Sequence, residues 1–155
     1  MRHLEVFIDG ASKGNPGSAG IGVVLFNEGQ KCKELSMPIG EATNNIAEYS
    51  ALLCGLREAL HQKAEAVTVY TDSELVYRQL RGEYKVKEPA LRLMFSQAQQ
   101  LIGKFSDFKI VHILRQKNKE ADRLASLAAG RANIKAGDSF LSFKKHLPQE
   151  QDLFL

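Results

Sequence analysis

Four acidic residues fall at places where this chain changes its structural period, and together they could hold cations. Asp9 closes the alternating segment RHLEVFID, and Asp72 follows the apolar run AVTVYT. Carboxylates at strand ends lie where open α/β sheets tend to bind ligands. Glu48 sits on the shoulder of an apolar helical stripe, one turn before Leu52, so it can look along the buried face. Asp122 shares a helical face with Ala125 and Ala129, residues small enough to let that helix approach a sheet closely. If the four converge, each unpaired carboxylate raises the cost of ionising the next, and the cluster must take up protons or divalent cations. Ligand sets made only of oxygen favour magnesium or manganese. Each acid also has an ordinary role. Asp9-Gly10 is a turn dipeptide, Asp72 and Ser73 can cap the next helix, and Glu48 and Asp122 can be solvated helix acids. Taken singly, the ordinary roles suffice; the conjunction points to a site.

The elements that must position these acids are legible from periodicity and punctuation. LEVFID and IGVVLF read as strands joined through the loop GASKGNPGSAG. KCKELSMPI reads as a third strand, with Pro38 marking an edge. From Asn45 to about Gln62 the apolar residues Ile46, Tyr49, Leu52, Leu53, Leu56 and Leu60 take helical spacing. AVTVYT is a fourth strand, SELVYRQLRG a short helix stopped by Gly82, PALRLMFSQAQQLIGKF a longer one with Pro89 in its first turn. DFKIVHIL is a fifth strand and NKEADRLASLAAGRA a final helix. The order βββαβααβα predicts an α/β fold, a mixed sheet with helices on its faces.

Composition sets wide bounds. At 155 residues, 44% hydrophobic and 25% charged, the chain is long enough for one domain with a real core. It begins with neither a signal-peptide pattern nor a membrane-spanning run, and a cytoplasmic location is the expectation. Cys32 and Cys54 form no CxxC pair and are expected to be reduced thiols. A net charge of +3 suits a polyanionic partner but does not demand one.

The strings FIDGASKGNPG, TNNIAEYSALLCGL, VYTDSELV and NKEADRLA, in this order and spacing, resemble the type 1 ribonucleases H over residues 4–130. The resemblance implies a ribonuclease H-like fold, a five-stranded mixed sheet whose first three strands are antiparallel, flanked by helices. It implies an endonuclease that hydrolyses the RNA strand of RNA/DNA hybrids and leaves 5′-phosphate and 3′-hydroxyl ends. Asp9, Glu48, Asp72 and Asp122 then become catalytic metal ligands for two Mg2+ ions, with Mn2+ as a substitute. Asp9 bridges both ions, Glu48 and Asp72 hold one side, and Asp122 the other. No protein nucleophile is needed.

Metals do not read sugars, so selectivity must come from other groups. Asn15, Thr43, Asn44 and Asn45 match family positions that touch the minor groove of the hybrid, where only RNA offers a 2′-hydroxyl. GNPG is also a good turn, and Asn44 or Asn45 could cap the helix. Ser73 is a candidate for phosphate or DNA-strand contacts, and capping explains it equally well. Two departures stand out. Between Gly82 and Pro89 only EYKVKE appears, where better-known bacterial members carry a longer basic protrusion. Arg78, Arg81, Lys85 and Lys87 offer at most a reduced basic handle. The loop before Asp122 contains no counterpart of the mobile His found in many members, which leaves Arg115 as the nearest cation for a phosphate. Asn118, one turn before Asp122, completes the substrate-contact set.

The domain is expected to span residues 1–131, with 132–155 as a tail that is either mobile or packed back onto the body through Phe140, Leu141, Phe143 and Leu147. Its end, EQDLFL, loosely resembles peptides that dock on sliding clamps. A monomer with no membrane association is expected. The competing reading is a non-catalytic hybrid-binding module of the same fold, which would be expected to lack at least one of the four carboxylates. A proofreading-type exonuclease would open with two acids one residue apart, whereas Asp9 is followed by Gly10 and Ala11. The remaining alternative, the ribonuclease domain of a reverse transcriptase, would share the site.

Overall fold

The structure, a computed structural model, describes residues 1–131, with the side chain of Arg131 left aside. The expectations for residues 132–155, both the packing of Phe140, Leu141, Phe143 and Leu147 and the clamp-like end, lie outside the described residues. Among the described residues the elements run β1 (His3–Ser12), β2 (Gly17–Asn27), β3 (Gln30–Ala42), α1 (Asn44–His61), β4 (Ala66–Thr71), α2 (Glu74–Leu80), α3 (Pro89–Ile102), β5 (Asp107–His112) and α4 (Lys119–Arg131), with a 3-10 turn at Arg115–Lys117. The sheet order is β3-β2-β1-β4-β5. The pairs β1–β2 and β2–β3 are antiparallel, and β1–β4 and β4–β5 are parallel.

Alternation along the central strands sorts side chains onto two faces. On one, Leu4, Val6 and Ile8 of β1 join Ile21, Val23 and Leu25 of β2 beneath Leu52, Leu53 and Leu56 of α1 and Met94 and Leu101 of α3, all buried. Each such side chain contributes about 1.5 to 3 kcal/mol through apolar burial. On the other face Phe7, Val24 and Phe26 meet Ala121 and Leu124 of α4. α4 thus covers the β3-β2-β1 half of this second face, the half from which Asp9 comes.

Three sequence-based boundaries move. β1 does not end at Asp9: the ladder with β2 continues from Asp9↔Gly22 to Ser12↔Ala19, and only residues 13–16 remain as connection. The Gly- and Ser-rich composition concealed a strand that small residues can enter without hindrance. β3 continues through Pro38 to Ala42. The missing N–H is tolerated because β3 is an edge strand and its register shifts opposite Ala19/Gly20. The first helix begins at Asn44, capped by Thr43, whose hydroxyl oxygen accepts from Ile46 N at 3.2 Å. Neither Asn44 nor Asn45 is the cap. No helix among the described residues is long and apolar enough to cross a membrane.

Candidate active site

Parallel pairing sets the first two acids beside each other. Ile8 of β1 is in register with Thr71 of β4, so the residues that follow, Asp9 within β1 and Asp72 just past the end of β4, stand at the same level. Two glycines then let helices bring in the others. A Cβ on Gly10 would lie 2.3 Å from the carbonyl carbon of Ala47 and 2.4 Å from the nitrogen of Glu48, so only bare backbone lets α1 cross there with Glu48 at the crossing. A Cβ on Gly22 would lie 2.1 Å from Ala121 O. Without it α4 rests directly on β2, with buried Ala121 and Ala125 at the contact, and its first turn delivers Asp122.

The result is a compact set of oxygens. Asp9, Glu48 and Asp72 each offer one within 4.8 Å of the others. Asp9 and Glu48 are each only 5% exposed. Asp122 is not in that mutual group, but it lines the same cavity of about 300 Å³ together with Asp9, Glu48, Asp72 and Arg115. Its Oδ1 lies 3.5 Å from Arg115 Nη2. Burial, then the charge of Asp72 and the nearness of Asp122, push the Asp9 carboxyl up to about 8. Burial, followed by the charge of Asp9, pushes Glu48 well above the ordinary carboxylate range. Both shifts express one fact: crowded, desolvated carboxylates resist ionisation when nothing positive lies among them.

A divalent cation fits this arrangement. Hard cations bind carboxylate oxygens at about 2.0 to 2.6 Å, which places oxygens of one coordination sphere at separations like those seen here. Glu48 Oε2 is buried and has no hydrogen-bond partner among the described residues. Asp9 Oδ1 accepts from Gly10 N at 3.0 Å, which fixes the carboxylate. Asn118, 2% exposed, donates through Nδ2 to Ile8 O at 2.8 Å and to Asp72 Oδ2 at 3.0 Å, tying the Asp72 side chain to β1.

Comparison with known proteins agrees with this geometry. The Reverse transcriptase-like family model matches residues 7–128. Ribonuclease HI of Halobacterium salinarum is 40% identical over 126 residues, covering 81% of this chain and 63% of that protein. The crystal structure of RNase H1 from the same archaeon superposes with a TM-score of 0.81 at 39% identity, covering 84% of this chain and 99% of that one. The chain belongs to the ribonuclease H family. The bifunctional protein Rv2228c of Mycobacterium tuberculosis is 42% identical over 120 residues, which cover 76% of this chain. This chain spans only 33% of the length of that relative. The structure of LC11-RNase H1 in complex with an RNA/DNA hybrid has a TM-score of 0.78 at 42% identity, covering 83% of this chain and 98% of that chain.

The ribonuclease H resemblance named further residues, and the structure distributes them unevenly. Asn15 and Asn44 meet at the cavity side of the fold, where Asn15 Oδ1 accepts from Asn44 N at 3.1 Å. That bond joins the β1–β2 turn to the start of α1 and leaves both side-chain amide NH2 groups without a partner among the described residues. Asn45 is half-buried next to them. Thr43 and Ser73 both cap helices, Ser73 Oγ accepting from Val76 N at 3.2 Å. Asn118 requires a correction: a side chain this buried, with its amide NH2 committed to Ile8 and Asp72, orients the Asp72 carboxylate and is not on the cavity surface. Arg115 is 79% exposed at its side chain and stands on the cavity wall.

Two of the four residues named as a reduced basic handle, Arg78 and Arg81, are paired with acids. Arg78 is bound to Glu74 and Glu83, both at 2.9 Å, and Arg81 approaches Glu83 at 3.5 Å. His112 hydrogen-bonds Asp72 O at 3.3 Å and packs against the Tyr77 ring, a scaffolding position. Among the wall residues that escaped sequence reasoning are Lys13 and Ser126. Lys13 looked like loop composition, although Ser126 lies one turn after Asp122 and its spacing could have flagged it.

Proposed function

We propose that this chain is an endoribonuclease that hydrolyses the RNA strand of RNA/DNA hybrids with two magnesium ions, manganese substituting, and leaves 5′-phosphate and 3′-hydroxyl ends. One observation carries the reading: three carboxylates of a ribonuclease H-family chain bring oxygens within 4.8 Å of one another on the wall of an open cavity. Asp9, Glu48 and Asp72, with Asp122 alongside, would hold the ions. When bound, the ions supply Lewis-acid polarisation of the scissile phosphate and a water acidic enough to attack near neutral pH.

The remaining work falls to the chain itself. Gly10 N–H and the Asn118 amide hold Asp9 and Asp72 in fixed orientations, so the ligands need little reorganisation. Glu48 keeps a buried oxygen ready without a competing donor. Arg115, mostly exposed and only 3.5 Å from Asp122, can turn its guanidinium to a phosphate oxygen. The amides of Asn15, Asn44 and Asn45 both donate and accept, which suits a 2′-hydroxyl and gives the selectivity for RNA.

The test is a panel of labelled substrates: RNA/DNA hybrid, single-stranded RNA, duplex RNA and duplex DNA, each with magnesium or manganese. Wild type is expected to cut only the RNA of the hybrid, while Asp9→Asn and Asp72→Asn remain folded and lose activity by at least about a thousandfold, as expected when a group central to transition-state stabilisation is removed. Equal cutting of duplex DNA, or binding of hybrid without any cleavage, would reject the assignment.

A further inference from the structure

On α4, Asp122, Ser126 and Gly130 recur every four residues and therefore share one face of the helix. Asp122 and Ser126 line the cavity, and so does Lys13, which comes from the β1–β2 turn on the other side. At the far end of that face Lys13 lies over Gly130: a Cβ there would be 3.8 Å from Lys13 Cε and 3.9 Å from its Nζ, ordinary van der Waals distances. Eight residues separate Asp122 from Gly130, a rise of about 12 Å along the axis. The wall begins at the carboxylates and ends under an ammonium group.

Among the described residues neither the Lys13 ammonium nor the Ser126 hydroxyl has a hydrogen-bond or ion-pair partner, and both side chains are exposed. Arg115, the other cation on the cavity wall, is already beside Asp122. We propose that Lys13 and Ser126 form a backbone-phosphate subsite, which takes a phosphate of the hybrid other than the scissile one, further along the Asp122–Ser126–Gly130 face. The inference rests on the hybrid being the substrate. The chemistry is simple: an ammonium is a strong point-charge partner for phosphate, and a hydroxyl one turn nearer the carboxylates adds a neutral donor. A strand drawn toward an acidic cluster also needs positive charge away from the metals to hold its backbone, and here Arg78 and Arg81 are already paired with Glu74 and Glu83.

The same lysine could instead serve only the C-terminal end of α4, where a cation is favoured by the helix dipole. Kinetics separate the two roles. Hybrid cleavage by wild type, Lys13→Ala, Lys13→Arg and Ser126→Ala is measured between about 50 and 200 mM salt, alongside melting temperatures. For Lys13→Ala the subsite requires KM to rise about tenfold with kcat within twofold, and the salt dependence of log KM to fall by about one contact. Lys13→Arg should retain most of the affinity, and Ser126→Ala should raise KM about twofold, a loss of about 0.4 kcal/mol. Hybrids carrying one neutral methylphosphonate at successive positions locate the contact: one position should weaken wild type and leave Lys13→Ala indifferent. A lowered melting temperature with unchanged KM and salt slope would overturn the subsite and assign Lys13 to helix capping. Failure of the wild type to cleave any hybrid would instead bring down the functional reading beneath it.

Discussion

The side chains that define this site are held in a state that is unfavourable without cations, and that gives each a testable signature. Asp9 titrates near 8 in the fold against an ordinary value of 3.8. Across that window the folded chain keeps a proton that the unfolded chain has lost. Stability of the metal-free protein therefore falls as pH rises from about 4 to about 8, and Glu48 acts in the same direction. Asp9→Asn removes the repulsion. In chelator at pH 8 it is expected to be more stable than wild type by on the order of 2 to 4 kcal/mol, with the difference shrinking toward pH 4, as read by thermal melting. A variant less stable than wild type at pH 8 would mean that the carboxylates are not mutually strained. Asn118→Ala belongs at the same scale. It removes two donated hydrogen bonds and strands the Ile8 carbonyl, so a loss of about 1 to 3 kcal/mol is expected, together with metal affinity reduced about 10- to 100-fold in a calorimetric titration. Destabilisation with unchanged metal affinity would show that Asn118 holds the fold and not Asp72.

At the scale of elements, helices reach the sheet only where glycine or alanine lets them. Gly22→Ala would place a methyl 2.1 Å from Ala121 O, a clash with backbone that no rotamer relieves. α4 must then move, with a cost of about 1 to 3 kcal/mol or more and displacement of Asp122, so the variant is expected to lose both melting temperature and hybrid cleavage. Normal activity in Gly22→Ala would show that the position of α4 is not critical. The type and order of the elements were legible because the apolar periods were clean: Ile46, Tyr49, Leu52, Leu53 and Leu56 announce α1 without ambiguity. Boundaries were harder to read. Gly10, Ala11 and Ser12 carry no β signal, yet pairing with β2 draws them into β1. Pro38 sits within β3 because an edge strand forgives a missing donor. Asn118 misled for a related reason. Sequence shows an amide one turn before Asp122 but not that α4 starts against the sheet and buries it.

The whole molecule is a scaffold that converges elements from across the chain on one end of a sheet, and only the pairing of β1 with β4 makes Asp9 and Asp72 neighbours across 62 intervening residues. The four acids could be named from sequence, since motif strings carry them. The resemblance also set Asp122 apart from Glu48 and Asp72, but it did not supply the geometry: three share a tight group, while Asp122 stands beside Arg115. Divalent cations should therefore act on the stability of the entire fold, raising the melting temperature of wild type by the equivalent of about 2.7 kcal/mol at a hundredfold excess over Kd, and that of Asp9→Asn far less. An equal rise in both would place the ions elsewhere. The most direct measurement is the rate of hybrid cleavage through a magnesium titration starting from chelator, for wild type and Asp72→Asn in parallel. The cluster predicts no cleavage in chelator, a rate that rises with the ion and then saturates, and a variant that stays inactive throughout; cleavage persisting in chelator, or restored in Asp72→Asn at ordinary magnesium, would contradict it.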